Sequence, residues 1–200
     1  MTDVSTPTTH RERLIDGMAA AVREKGFRRT TVADVVRHAR VSRRTFYEHF
    51  EDLVDCYLAL AAVLSDLIHA AIRPAAEDAR DLPLDERLGA AVDAYLQLLA
   101  ADPALTRSYA LESHLAGERG HQLLQGASER VAELIVALID DARVEEPSLN
   151  PVGLETAIIL TAGIRELAMR AQERDLPLEG VRSAATGLLR AALTAPAAAR

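Results

Sequence analysis

Two hundred residues suit one large or two small domains. The composition is 49% hydrophobic and 26% charged but only 4% aromatic, with Ala and Leu dominant, which favours helices over sheets. A net charge of −7 argues against a chain that coats nucleic acid along its whole length.

The opening MTDVSTPTTH has neither the basic nor the apolar region of a secretory signal. Residues 1–8 read as a disordered arm. Thr9-His10-Arg11-Glu12 is a capping box that opens a helix to about Lys25. Leu14, Ile15, Met18, Ala21 and Val22 form its apolar face, Gly26 stops it, and Phe27 tucks underneath. Val32, Val35, Val36 and Ala39 fall at i, i+3, i+4 and i+7, with Thr31 as N-cap and Asp34 three residues on. Arg40-Val41 is a turn, and Ser42 caps a third short helix. Val41 and Phe46 make its hydrophobic staple, and Phe46 and Phe50 pack four apart.

A fourth helix runs from about Leu53 to Ile72, with Asp52 as N-cap and Pro74 ending it; Ala75 to Pro83 is a charged connection. Leu84, Leu88, Val92, Leu96 and Leu99 mark a fifth. Asp102-Pro103 restarts a sixth, to about Ala116 with Gly117 as its stop. A seventh reaches about Ala142, Asn150-Pro151 caps an eighth to about Arg174, and Pro177 opens a ninth to about Thr194, after which APAAAR frays. No run reaches the ~18 apolar residues that cross a bilayer. The lone Cys56 makes no internal disulfide and fits a reducing, cytoplasmic setting. The expected fold class is all-α.

Charge follows this layout. Residues 1–50 hold ten Lys and Arg against six Asp and Glu, net +4, whereas residues 51–200 hold 13 against 24, net −11. Such asymmetry is expected where one small module meets phosphate and the rest stays off it.

The last two helices carry more apolar surface than one core face needs. Ile158, Ile164, Leu167 and Ala168 on the eighth, with Val181, Ala185, Leu188 and Leu189 on the ninth, are the expected homodimer interface, closing a four-helix bundle with a second copy. The alternative is that both helices cover the intrachain core.

The pattern T-V-x-x-V-V-x-x-A-x-V-S-x-x-T-F-Y-x-H-F within GFRRTTVADVVRHARVSRRTFYEHFEDLVDCYLALA resembles the TetR family of transcriptional regulators over about residues 9–60. The resemblance implies a nine-helix dimer with a helix-turn-helix DNA-binding domain over 9–51 and a ligand-sensing and dimerisation domain over 52–195. Carried over by position, Thr31, Ser42, Tyr47 and His49 match phosphate contacts, while Arg43, Arg44 and Thr45, with Tyr47 sharing the role, match base contacts. Two positions depart. The family usually has glycine where this chain has Arg40, and often a lysine where it has Leu53, flanked by Glu51 and Asp52.

The residue chemistry agrees with a DNA reader. An α-helix fits the major groove, where an arginine fork takes both acceptors of guanine. Arg43 and Arg44 lie in the first turn, the end of a recognition helix that approaches base edges. The family resemblance also implies a pocket enclosed by helices four to seven, for which Tyr95, Arg107, Tyr109, Glu112, His114 and Arg165 are the candidate polar and aromatic lining.

No catalytic constellation or glycine-rich phosphate loop can be assigned, and His114 and His121 stand seven apart rather than at the four of a helical zinc pair. The expectation is a non-enzymatic, cytoplasmic regulator without metal or cofactor. Its partners are an operator in double-stranded DNA, a second copy of itself and a small, mostly apolar effector; no membrane is expected. Repression of a pseudo-palindromic operator is the expected outcome. An orphan dimer without a ligand, or an activator, is the alternative.

Overall fold

A computed structural model describes residues 9–194. The expected N-terminal arm and frayed C-terminus lie outside them. Among the described residues the chain forms nine α-helices: α1 His10–Lys25, α2 Val32–Ala39, α3 Arg43–His49, α4 Leu53–Asp78, α5 Leu84–Ala101, α6 Pro103–Glu112, α7 Gly117–Glu145, α8 Leu154–Glu173 and α9 Glu179–Thr194. None of the described residues is in a strand.

Local signals set most of the boundaries. Glu12 N–H donates to Thr9 Oγ1 at 3.2 Å, and Thr9 N–H donates back to Glu12 Oε2 at 2.7 Å. The same reciprocal box joins Thr31 and Asp34 at α2. Asp52 accepts the Asp55 N–H at 2.7 Å and so caps α4. Gly26 ends α1 at φ 77°, in the left-handed region open to glycine.

Three boundaries differ from the expectation. Pro74 lies inside α4, which continues to Asp78. Proline removes one N–H, but the Ala- and Glu-rich residues after it are strong helix formers, and the Ala79 N–H still reaches the Ala75 carbonyl at 3.3 Å. α6 ends at Glu112, and Ser113–Ala116 form a tighter 3₁₀ turn before Gly117. Asn150 does not cap α8: its N–H donates to the Leu193 carbonyl at 2.8 Å and its side chain to that of Ala192, so α8 starts at Leu154 after Gly153.

The expectation on membrane-crossing length also needs correction. α4 is long and apolar enough by length and composition, with an 18-residue window of mean hydropathy 1.6. Hydropathy averaged over a window passes over the interruptions at Asp55 and Asp66. Within α4, Cys56, Tyr57, Leu60 and Ala61 are buried.

The described chain divides into two compact units, one holding residues to Leu64 plus Ala104–Leu123, the other Ser65–Pro103 and the chain from Leu124. In the first, Leu14, Met18, Val22, Val35, Phe46 and Tyr57 form the core. Gly17 lets α1 and α2 touch, since a Cβ there would lie 2.6 Å from the Val35 carbonyl. Phe27 stacks on Tyr57 at 3.8 Å between ring centroids. In the second unit, α5, α7, α8 and α9 pack around Val92, Leu96, Leu134, Ile164, Ala168 and Leu189.

Candidate functional site

The turn between α2 and α3 is held from both sides. Arg40 adopts the left-handed conformation, φ 54° and ψ 46°, where glycine is usual at a helix C-terminus. The Val41 N–H returns to the Val36 carbonyl at 3.1 Å, and Arg13 on α1 donates to the carbonyls of Ala39 and Arg40. α3 then opens with the Thr45 N–H on Ser42 Oγ at 3.0 Å. Phe46 and Phe50 bury the inner face.

What remains outward is donor-rich. Ser42, Arg43, Arg44, Tyr47 and His49 are exposed and Thr45 is half-buried; Tyr47 is 60% exposed. Thr31, at the start of α2, is exposed as well. Among the described residues Arg44 pairs along its own helix, with Glu48 at 3.0 Å, and its side chain is 89% exposed. Two cations back this face: Lys25 and Arg37 pair with Asp34, and Arg37 with Glu24. These cations hold both carboxyls below the ordinary carboxylate range, with the Lys25 hydrogen bond leading at Asp34 and that of Arg37 at Glu24. Leu53 is half-buried against the core of this unit, so it offers no cation where α4 begins.

The second unit holds a cavity of about 230 Å³. Its walls come from α4, α5, α7, α8 and α9 and are mostly apolar, Ile72, Val92, Leu138, Leu160 and Ile164 among them. Tyr95 also lines it. Burial pushes the Tyr95 phenol up, with the charge of Arg165 opposing.

Residues 14–60 match the family model for bacterial regulatory proteins of the tetR family. Over that stretch the chain resembles the DNA-binding region of TetR-family regulators. Members of that family are DNA-binding transcription regulators, and the matched residues include the exposed α3 face. Solved structures extend the likeness to the fold of almost the whole chain. A FadR fatty acid degradation regulator from Bacillus halodurans matches at 15% identity and TM-score 0.73, covering 96% of this chain and 97% of that one. A putative TetR-family regulator from Rhodococcus sp. matches at 21% identity and TM-score 0.73, covering 92% and 98%. A FadR from Bacillus subtilis, solved with stearoyl-CoA, matches at 17% identity and TM-score 0.67, covering 90% and 98%. No curated protein matches the chain.

The chain brings only one of the expected pocket residues, Tyr95, to the cavity wall. α6 contributes nothing to it, because Ala104–Leu123 belong to the first unit. There Glu112 accepts the Phe27 N–H at 2.8 Å and the Ser108 hydroxyl at 2.7 Å. Tyr109 is buried and its carbonyl accepts from Ser113. Arg107 and His114 are exposed, and Arg165 is half-buried on α8 without lining the cavity.

The expected dimer residues also divide. Ile164, Ala168, Val181, Ala185 and Leu189 are buried in the core of the second unit, and Ile158 is partly buried. Leu167 and Leu188 are exposed, the latter by 59%. Ile159, 71% exposed, joins them on the outer face. A Cβ at Gly163, Gly180 or Gly187 would meet nothing, so that outer face is open.

Sequence reading missed Arg13 as the clamp of the turn and missed Arg80, Arg87 and Glu145, which meet in ion pairs. No periodicity links residues that far apart in the chain.

Proposed function

We propose that this regulator is a homodimeric repressor that binds a pseudo-palindromic operator and is released by a small, mostly apolar ligand. The observation that carries the reading is the α3 face: exposed Arg43, Arg44, Tyr47 and His49 on a helix whose entry turn is clamped by Arg13. Arg43, Arg44 and Thr45 read base edges, with Tyr47 shared, while Thr31, Ser42 and His49 hold phosphate. Residues 9–51 bind DNA, and 52–195 sense the ligand and dimerise. The protein works in the cytoplasm.

The dimer forms through the outer faces of α8 and α9. Exposed Ile159, Leu167 and Leu188, beside open glycines, support a close helix–helix contact with a second copy. The apolar cavity favours a ligand-released repressor over an orphan dimer, and the FadR from Bacillus subtilis, of similar fold, was solved with stearoyl-CoA, a ligand with a long apolar tail and a charged head. α4 supplies residues to both units, so a ligand preferring one arrangement of α4 shifts the population that fits DNA.

Footprinting on the DNA flanking its own gene, over a salt titration, tests the reading. The expected result is a protected inverted repeat with a steep fall in affinity as salt rises. Protection of a single half-site by a monomer would overturn it.

A further inference from the structure

The cavity has apolar walls but a charged mouth. Arg80, in the turn after α4, and Arg87, on α5, both line it. Both also meet Glu145, the last residue of α7. Arg80 Nε donates to Oε1 at 2.9 Å and Arg87 Nη1 to Oε2 at 3.3 Å. Two guanidiniums from different elements thus hold one carboxylate by its two oxygens, the geometry of an anion receptor.

Glu145 is a replaceable occupant of that receptor. It stands at the C-terminal end of α7, where the helix dipole disfavours negative charge, and its side chain is 42% exposed. Behind the arginines the only uncharged polar residue on the wall is Tyr95. It is buried, and its hydroxyl makes no hydrogen bond among the described residues. Two acids, Glu77 and Asp141, also line the cavity. Glu77 lies 3.8 Å from Arg73. With these acids close by, an incoming anion replaces Glu145 rather than adding to it, and a single negative charge is favoured over several. The volume, about 230 Å³, is below the ~300–1,000 Å³ of ordinary drug-sized sites and suits one unbranched tail.

We propose that the ligand is a medium-chain amphipathic carboxylate, its tail in the cavity and its head on Arg80 and Arg87 in place of Glu145. This rests on the reading that the cavity holds the effector.

Three probes with one tail and different heads test it: decanoate, decanol and decyltrimethylammonium, each below its micelle concentration. Calorimetric and thermal-shift titrations of the full chain give affinity, and operator mobility shifts give release. Decanoate is expected to bind tightest. Arg87→Met should weaken it by about tenfold or more, the loss of a charge-assisted hydrogen bond. Glu145→Gln should tighten it several-fold by freeing the receptor, and keeps the test open if R87M does not fold. Unchanged decanoate affinity in R87M, or weaker binding in E145Q, overturns the proposal. Binding of decanol or the ammonium probe without decanoate overturns the carboxylate and leaves a ligand-released repressor standing. Binding of none of the three overturns it as well. Decanoate that binds as expected yet leaves the operator complex intact upholds the head chemistry and removes the release reading.

Discussion

Arg13 on α1 donates from Nη2 to the carbonyl oxygens of Ala39 and Arg40, at 2.7 and 2.9 Å. It thereby satisfies acceptors that the end of α2 leaves open and fixes the turn that aims α3. The clamp also explains how a non-glycine residue is held at φ 54°. A left-handed residue other than glycine costs ~1–2 kcal/mol, and interactions around the turn offset that.

Arg40→Gly should therefore stabilise the fold. The relief of backbone strain outweighs the added chain entropy of glycine, leaving a gain of up to about 1 kcal/mol. Urea midpoints check it: R40G should rise and Arg40→Val should fall. A lower midpoint for R40G would mean that the arginine side chain contributes more than the strain removes.

Glu112 should behave as a structural acceptor of the first unit. It takes the Phe27 N–H and the Ser108 hydroxyl beside Gly26. Glu112→Ala strands that N–H in a partly buried site, a loss of about 1–3 kcal/mol. Glu112→Gln keeps an acceptor and should lose less. Equal midpoints for wild type and E112A in chemical denaturation would remove this role.

Acid should weaken the start of α2. Lys25 leads in holding the Asp34 carboxyl below its ordinary value of 3.8, with Thr31 assisting. A folded-state value below the unfolded one means stability that is full above pH 3.8 and fades as pH falls further. Asp34→Asn should thus be less stable than wild type near neutrality, and the gap should narrow at the acid end. Denaturation midpoints across pH would show this; a gap independent of pH would contradict it.

Arg44 should set sequence choice. It must leave or share its pair with Glu48, 3.0 Å away, to reach a base. Arg44→Ala should cost ~1–3 kcal/mol on the operator and little on random DNA. His49→Ala should weaken both alike, as phosphate contacts carry no sequence information. Mobility shifts on the two DNAs separate these roles, and an equal loss for R44A on both would remove its reading of bases.

The sequence by itself determined residues 9–50 closely. Caps at Thr9, Thr31 and Ser42 act within one turn, and the apolar spacing of Val32, Val35 and Ala39 is equally local, so both are written in adjacent residues. The extension of α4 past Pro74 was hidden because a strong local stop signal lost to the helix formers beyond it. Only the tertiary structure decided which apolar face of α8 and α9 is spent inward. Ile164 and Leu189 are buried while Ile159 and Leu188 are exposed, although all four are equally apolar in sequence. It likewise decided that α6 sides with the first unit, where Glu112 meets Phe27 85 residues earlier. It also decided that Arg80 and Arg87 meet Glu145 at the cavity. These pairings are long-range: each depends on how helices distant in the chain pack, and no local signal encodes that choice.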